Sequence, residues 1–133
     1  MARILLVDDF RPFRTFVTSL LSGNGYVSYE ASDGLEALEK AQELQPDLIL
    51  LDIRLPKLNG FEVARRVREL APSSKIVFFT LDSSNEMVQE ALNLGAWGYV
   101  SKRRAKADLP AAFTAVLRGE RFVSSGLSRP DKD

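Results

Sequence analysis

Leu48-Ile49-Leu50-Leu51-Asp52 is a run of four apolar residues that stops at a carboxylate. Similar apolar runs occupy residues 4–7, 76–79 and 97–100, and the first of them stops at a pair of aspartates. Each run is too short to be a helix, and its residues do not alternate between apolar and polar. Short continuous runs of this kind indicate strands that are covered on both faces, as in a parallel sheet.

Segments with helical periodicity separate these strands. One more run, residues 27–31, is the second in chain order. It does alternate and therefore predicts an edge strand with one face more exposed to solvent. Strands and helices thus alternate five times, which predicts a doubly wound α/β domain: a five-stranded parallel sheet with helices on both faces. The helical stripes are residues 13–20, 35–44, 61–70, 88–92 and 109–116.

The composition limits both the size class and the chemistry of the chain. Its 133 residues, 45% of them hydrophobic, suffice for one domain. We place that domain at residues 1–121, because periodicity is lost over 122–133, a predicted flexible tail or linker. The absence of cysteine and histidine excludes disulfides, thiol nucleophiles, a Ser-His-Asp triad and zinc sites built on those residues.

The charge balance and the N-terminal apolar run bear on nucleic-acid binding, membrane association and cellular location. Eighteen Lys and Arg residues balance eighteen Asp and Glu residues, so no overall field attracts nucleic acid or an anionic membrane. The apolar run at residues 4–7 is too short for a signal peptide or a membrane span. The sequence therefore predicts a soluble cytoplasmic protein that does not bind a membrane.

Polar side chains follow four of the predicted strands at their carboxyl ends. Asp8 and Asp9 follow the first, Asp52 follows the third, Thr80 ends the fourth and Lys102 comes just after the fifth. In a doubly wound sheet these ends form the rim of the functional crevice. Three neighbouring carboxylates repel one another, and Mg²⁺, which prefers oxygen ligands, relieves the repulsion. The lysine supplies a positive charge for an oxyanion, and the threonine supplies a hydroxyl donor.

Two further acids are assigned structural roles. Asp33 has the spacing of a helix N-cap, with Glu36 three residues later. Asp47 follows Pro46 at the start of a strand, which places it on the opposite rim. Neither is expected to take part in the chemistry of the crevice.

Several motifs occur together and identify a family resemblance. They are the acidic pair at residues 8–9, the D-x-x-x-P-x-x-x-G segment at 52–60, Thr80, and the segment 95–102 that ends in lysine. The combination resembles the receiver domain of two-component response regulators, and segment 95–102 resembles receivers that precede a LuxR-type helix-turn-helix domain. The resemblance implies a flavodoxin-like sheet with the strand order 2-1-3-4-5.

The resemblance also implies a phosphoacceptor and a metal site. Asp52 matches the residue that takes a phosphoryl group from a sensor histidine kinase or a phosphotransfer protein. Asp9, Asp52 and the backbone carbonyl of Arg54 match the ligands of Mg²⁺, and Asp8 matches an acid that reaches the ion through water.

Three further residues match the switch of the family. Thr80 and Lys102 match the residues that bind the phosphoryl oxygens, and Tyr99 matches the aromatic residue that turns inward when the threonine moves. The implied output is a changed partner-binding face, including homodimer formation on phosphorylation, rather than turnover of a substrate. Trp97 lies two residues before the tyrosine, so both are expected on one face of the strand.

Two residues depart from the family pattern, and two other functions remain open. Leu81 stands where most members have a small residue, and Arg103 stands where many have proline. One alternative is a degenerate receiver that only mediates protein contacts. The other is a haloacid-dehalogenase-like phosphohydrolase, which needs a second acid where this chain has Arg54. Direct DNA binding is not expected, because nothing after Arg121 could form a helix-turn-helix.

A pair of opposite charges flanks the predicted site. Arg54 lies two residues after Asp52, and Asp82 lies two residues after Thr80. Because both positions are just past the carboxyl ends of neighbouring strands, the two side chains are expected to pair across the mouth of the crevice.

Overall fold

Strands and helices alternate along the chain in the computed structural model, which describes residues 1–82 and 84–124. None of the helices in this part, which have nine to thirteen residues, is long and apolar enough to cross a membrane. The strands are β1 (Ala2–Val7), β2 (Tyr26–Ala31), β3 (Leu48–Leu51), β4 (Lys75–Thr80), β5 (Gly98–Ser101) and β6 (Phe122–Val123). The helices are α1 (Arg11–Leu21), α2 (Gly34–Leu44), α3 (Gly60–Leu70), α4 (Asn85–Asn93) and α5 (Ala105–Leu117), with a 3₁₀ turn at Lys102–Arg104.

The strands form one parallel sheet in the order β2-β1-β3-β4-β5-β6. Helices α2, α3 and α4 pack on one face, and α1 and α5 pack on the other. The predicted doubly wound fold, with the order 2-1-3-4-5 and helices on both faces, is therefore confirmed. The alternating strand β2 lies at the edge, where its outer positions are only partly buried.

The sheet has one strand more than the five predicted. The amide of Phe122 donates to the carbonyl of Trp97 at 3.0 Å, and the amide of Ser124 donates to that of Tyr99 at 2.9 Å. These bonds add β6 beside β5, within the first residues of the predicted tail. Two partly buried residues are too few to produce a periodic pattern, so no sequence pattern predicts this strand. Residues 125–133 of the predicted tail lie outside the described residues.

The core lies on both sides of the central strands. All residues of β3 are buried, as its uninterrupted apolar run predicted. Two helices face the sheet through narrower stripes than predicted. In α1 the buried residues are Val17 and Leu21, whereas Phe16 is 37% exposed, and in α2 the predicted inward residue Leu35 is 46% exposed.

The two acids assigned structural roles have those roles in the fold. Asp33 Oδ1 accepts a hydrogen bond from the amide of Glu36 at 2.8 Å, and the Glu36 carboxylate accepts one from the amide of Ser32 at 2.7 Å. Asp33 is therefore the N-cap that the spacing predicted, and Glu36 reaches back to the amide one residue before the cap rather than to that of the cap itself. Asp47 Oδ2 accepts a hydrogen bond from the amide of Arg3 at 2.8 Å, which joins the starts of β3 and β1.

We expect Asp33→Ala to lower the free energy of unfolding by about 1 kcal/mol, because the first turn of α2 loses its cap. The matched variant Asp33→Asn keeps an oxygen acceptor and should retain most of that stability. The hydrogen bond from Glu36 holds the pKa of the Asp33 carboxyl below its ordinary value of 3.8. The charge-dependent part of the stabilisation is therefore present above that value and is lost as the pH falls through the lowered pKa. Urea unfolding of the three proteins on both sides of 3.8 checks this, and equal stability of Asp33→Ala and the wild type at neutral pH would contradict it.

Candidate functional site

Strand register brings the predicted site residues to one rim of the sheet. Val7 pairs with Leu51, so Asp8 and Asp52 follow at the same level of neighbouring strands. Thr80 pairs with Ser101, so the residue after β5 also lies at this rim. The amide of Asp52 donates to the carbonyl of Val7 at 3.0 Å, which continues the sheet up to the site.

Three carboxylates are clustered at this rim. Asp8, Asp9 and Asp52 each offer a carboxylate oxygen, and these oxygens lie within 4.8 Å of one another. Asp8 and Asp52 are buried, with 4% and 7% exposure, whereas Asp9 is exposed. The cluster therefore has two desolvated carboxylates and one that faces solvent.

A buried lysine balances much of this charge. Lys102 Nζ lies 2.6 Å from Asp8 Oδ2 and 3.0 Å from Asp52 Oδ2, and its side chain is 5% exposed. Burial raises the pKa of the Asp52 carboxyl, and the neighbouring charge of Asp8 adds to this, whereas the Lys102 ammonium opposes it. One ammonium thus stabilises two buried carboxylates at once.

The oxygen set fits a divalent cation. Asp8 Oδ2 is buried, and its one hydrogen-bonding or ionic partner among the described residues is Lys102 Nζ, 2.6 Å away. Asp8 Oδ1 accepts the amide of Phe10 at 2.8 Å, so the carboxylate is held with its second oxygen toward the cluster. Mg²⁺ takes one or two carboxylates and retains several waters, and this arrangement of donors meets that requirement.

Thr80 and Tyr99 are joined through the backbone of Asp82. The amide of Asp82 donates to Thr80 Oγ1 at 3.3 Å, and the Tyr99 hydroxyl donates to the carbonyl of Asp82 at 2.7 Å. Tyr99 is fully buried, and this burial raises the pKa of its hydroxyl well above the ordinary value, so the group stays a donor. The tyrosine is therefore turned inward and tied to the loop that follows β4.

The predicted pair across the mouth of the crevice is present. Arg54 Nη2 lies 3.5 Å from Asp82 Oδ2, although the arginine side chain is 79% exposed. The amide of Ser84 donates to Asp82 Oδ1 at 3.0 Å, and this bond, more than the arginine, lowers the pKa of the Asp82 carboxyl. The backbone amide of Ser84 thus holds the Asp82 carboxylate in place, and the Arg54 side chain extends across the crevice to pair with it.

The prediction that Trp97 and Tyr99 share a face is wrong. Trp97 lies just before β5, between the cations of Lys75 and Arg121, and packs against the apolar cluster of α1 and α5. Tyr99 packs in the cluster on the other face. The amide of Trp97 donates to the carbonyl of Ile76 at 2.8 Å, so the backbone already follows the sheet there, and backbone alternation does not explain the position of the ring.

The two residues that depart from the family pattern lie on the surface beside the site. Leu81 is 52% exposed, and Arg103 is exposed. The amide of Arg103 donates to Ser101 Oγ at 3.2 Å, which caps the 3₁₀ turn that carries Lys102. The Arg103 amide, which a proline at that position would lack, therefore takes part in shaping the lysine loop.

Sequence patterns did not predict a role for Arg14 and did not explain Gly60, and both residues support the site. Arg14 Nη1 donates to the carbonyl of Asp8 at 2.5 Å, and its Nε donates to Glu30 at 2.7 Å, which joins α1 and β2 to the acidic loop. No periodic pattern indicates such a bridge. Gly60 belongs to the quoted motif, and the structure explains it, because a Cβ atom there would overlap the carbonyl oxygen of Asp52.

Comparisons with known proteins agree with this geometry. The family model described as "Response regulator receiver domain" matches residues 4–114. The nitrate/nitrite response regulator protein NarL of Escherichia coli is 40% identical over 129 residues, which are 96% of this chain but 60% of that protein. The chemotaxis protein CheY of Thermotoga maritima is 35% identical over 101 residues, 75% of this chain and 84% of that protein. A solved LuxR-family response regulator from Aurantimonas superposes with a TM-score of 0.88 at 35% identity, covering 94% of this chain and 91% of that one.

We expect Lys102→Met to lower the free energy of unfolding by about 3 kcal/mol or more in the presence of a chelator, because it leaves two buried carboxylates without their counter-charge. Mg²⁺ should then stabilise the variant more than it stabilises the wild type, since the ion replaces part of the missing charge. Urea unfolding with and without Mg²⁺ measures both effects. Arg54→Met, which removes an exposed cation, is the control and should change stability by less than about 1 kcal/mol. Equal losses in the two variants would contradict the assignment.

Proposed function

The chain belongs to the response regulator receiver domain family, and we propose that it is a phosphorylation-operated switch whose phosphoacceptor is Asp52. The observation that supports this most is the buried Asp52 carboxylate, in contact with Lys102 and within 4.8 Å of two other acids. Phosphoryl transfer depends on positioning and charge neutralisation more than on covalent help from the protein. A carboxylate nucleophile beside an ammonium group supplies both.

The proposed phosphodonor is a phosphohistidine of a sensor histidine kinase or a phosphotransfer protein. A carboxylate oxygen of Asp52 attacks the phosphorus, and the bond between phosphorus and the imidazole nitrogen breaks. The electron pair stays on that nitrogen, and Asp52 becomes an acyl phosphate. Lys102, already 3.0 Å from an Asp52 oxygen, is placed to bind a phosphoryl oxygen, and the Thr80 hydroxyl is the proposed second donor.

The proposed metal ligands are Asp9, Asp52 and the backbone carbonyl of Arg54, with Asp8 acting through water. When bound, Mg²⁺ neutralises charge on the phosphoryl oxygens. The buried Asp8 oxygen has the Lys102 ammonium as its one partner among the described residues and can still accept an ordered water or contact an ion, which supports this placement.

The proposed switch runs through Asp82. A Thr80 hydroxyl that turns to a phosphoryl oxygen gives up the amide of Asp82, which it accepts at 3.3 Å. The hydroxyl of Tyr99 holds the carbonyl of the same residue, so the loop and the tyrosine move together. The resulting change in the partner-binding face, including a phosphorylation-dependent homodimer, is the proposed output.

The alternatives have less support. A phosphohydrolase of the haloacid-dehalogenase type needs an acid where Arg54 stands, and that side chain pairs with Asp82 instead. A degenerate receiver would not need the acids and the lysine to converge at one rim. Similarity to the transcriptional activator protein ExaE of Pseudomonas putida supports a role in transcription regulation for a longer regulator, in which this domain does not itself contact nucleic acid. The cytoplasmic location expected from the sequence is part of the same proposal.

We expect Asp52→Asn to abolish labelling by radioactive acetyl phosphate, because an amide oxygen is a poor nucleophile, while the near-isosteric side chain leaves the fold intact. Wild-type labelling should also be lost when a chelator removes Mg²⁺. Asp47→Asn, at the opposite rim, is the matched control and should label normally. Full labelling of Asp52→Asn, or labelling that ignores the chelator, would refute the assignment.

We further expect the ion pair of Arg54 and Asp82 to prolong the life of the acyl phosphate by hindering the approach of water. Arg54→Ala and Asp82→Ala should each shorten the phosphorylated half-life, and the double variant should be no faster than the faster single variant. The pair lies at the surface, so it contributes only about 0.2–1 kcal/mol to stability. Because about 1.4 kcal/mol of activation barrier corresponds to a tenfold change in rate, a contribution of this order is still measurable as a half-life. Loss of label after donor removal gives the half-lives. Additive acceleration, or unchanged half-lives in both single variants, would show that the pair is not a lid.

A further inference from the structure

The ammonium group of Lys102 faces aromatic rings as well as carboxylates. Its Nζ lies 4.3 Å from the centroid of the Phe13 ring and 5.6 Å from that of Phe79. Phe13 belongs to α1 and Phe79 to β4, so the rings approach from elements that carry neither buried carboxylate. Both distances are within the range of about 6 Å over which a cation is attracted to the face of an aromatic ring.

The carboxylates do not account for all donors of this group. An ammonium carries three N–H donors. Asp8 and Asp52 contact it at 2.6 and 3.0 Å, and no other oxygen of the described residues accepts a hydrogen bond from it or pairs with it. Since the side chain is 5% exposed, water has little access to the remaining donor. The face of Phe13 is the group placed to meet it.

We propose that Phe13 is a positioning residue that holds the Lys102 ammonium beside Asp52 through a cation–π contact. The inference rests on the proposed function of Lys102 in binding a phosphoryl oxygen. A carboxylate that shares its charge with a divalent ion attracts the ammonium less strongly, and in the acyl phosphate the negative charge lies on phosphoryl oxygens instead of the Asp52 carboxylate. The attraction of the ring depends on neither event, so Phe13 keeps the lysine in place while its anionic partners change.

The packing of Phe13 must be separated from its electrostatic effect. Its ring also packs edge-on against Phe79, with centroids 6.0 Å apart, and against Phe10, with centroids 5.5 Å apart. A change to leucine would alter both packing and charge attraction. Fluorination of the ring largely keeps its shape and apolar surface but withdraws electron density from its face, which weakens the cation–π attraction. It also alters the edge-on contacts with Phe79 and Phe10, and removal of the cation separates the two effects.

The decisive experiment replaces Phe13 in the full chain by mono-, di- and trifluorophenylalanine. We expect the rate of Asp52 labelling by acetyl phosphate to fall in regular steps, by about two- to tenfold in total. In the presence of a chelator and without any phosphodonor, the unfolding equilibrium constant should rise by a similar factor. Phe10 is the matched control: it is 53% exposed, it packs against the same Phe13 ring, and no cation of the described residues lies over its own ring. The proposal would be overturned if fluorination of Phe13 left the labelling rate and the unfolding equilibrium constant unchanged, or if fluorination of Phe10 changed them equally.

A second measurement identifies the cation. In a Lys102→Met background, fluorination of Phe13 should change the unfolding equilibrium much less, since only its edge-on aromatic contacts respond, and an unchanged slope there would overturn the proposal. Should this variant fail to fold, the series in the chain that retains Lys102 still decides the question. A wild-type protein that takes up no label would refute the proposed function, whereas the unfolding series would still support or overturn the Phe13–Lys102 contact.

Discussion

The contact of one buried ammonium with two buried carboxylates is the interaction on which the site depends. Asp8 and Asp52 lie at the ends of neighbouring strands, and burial without a counter-charge would drive a proton onto one of them. The counter-charge comes from Lys102, which follows a strand two positions further along the sheet from β3. Because the strands run parallel, their carboxyl ends meet at one rim and bring the two carboxylates and the ammonium together. The topology therefore makes the charge balance of the site possible.

The features that the sequence predicted correctly depend on residues close together in the chain or on their position relative to a strand end. Strands buried on both faces have to be continuously apolar, and polar residues at their ends fall at one rim in a parallel sheet. The cap at Asp33 follows from spacing within a single turn. Even the pairing of Arg54 with Asp82 followed from their equal offsets from two strand ends. The roles of the clustered residues in phosphoryl transfer stay a proposal, because their chemistry is not visible in their placement.

The features that were missed depend on contacts distant in sequence. Strand β6 exists because the chain returns to the open edge of β5, and nothing within its two residues indicates that return. The bridge from Arg14 to the carbonyl of Asp8 depends on where α1 crosses the end of β1. The position of Phe13 over Lys102 likewise depends on how α1 sits on the sheet, which no periodic pattern specifies. The position of the Trp97 ring between the cations of Lys75 and Arg121 also depends on residues distant in sequence, and a period of two does not predict it.

Strand β6 also gives the domain a defined point of mechanical attachment. Beyond α5 the chain is bound to the strand that holds Tyr99 and leads to Lys102 by bonds from Phe122 to Trp97 and from Ser124 to Tyr99. The amide of Ser101 adds a further bond to Ser124 Oγ at 3.1 Å. Because the two strands run parallel, a force that pulls Ser124 along the strand axis loads these bonds together, in shear, rather than one after another. Tension at this point would therefore be passed across the strand pair directly to Tyr99 and to the strand that leads into the lysine turn.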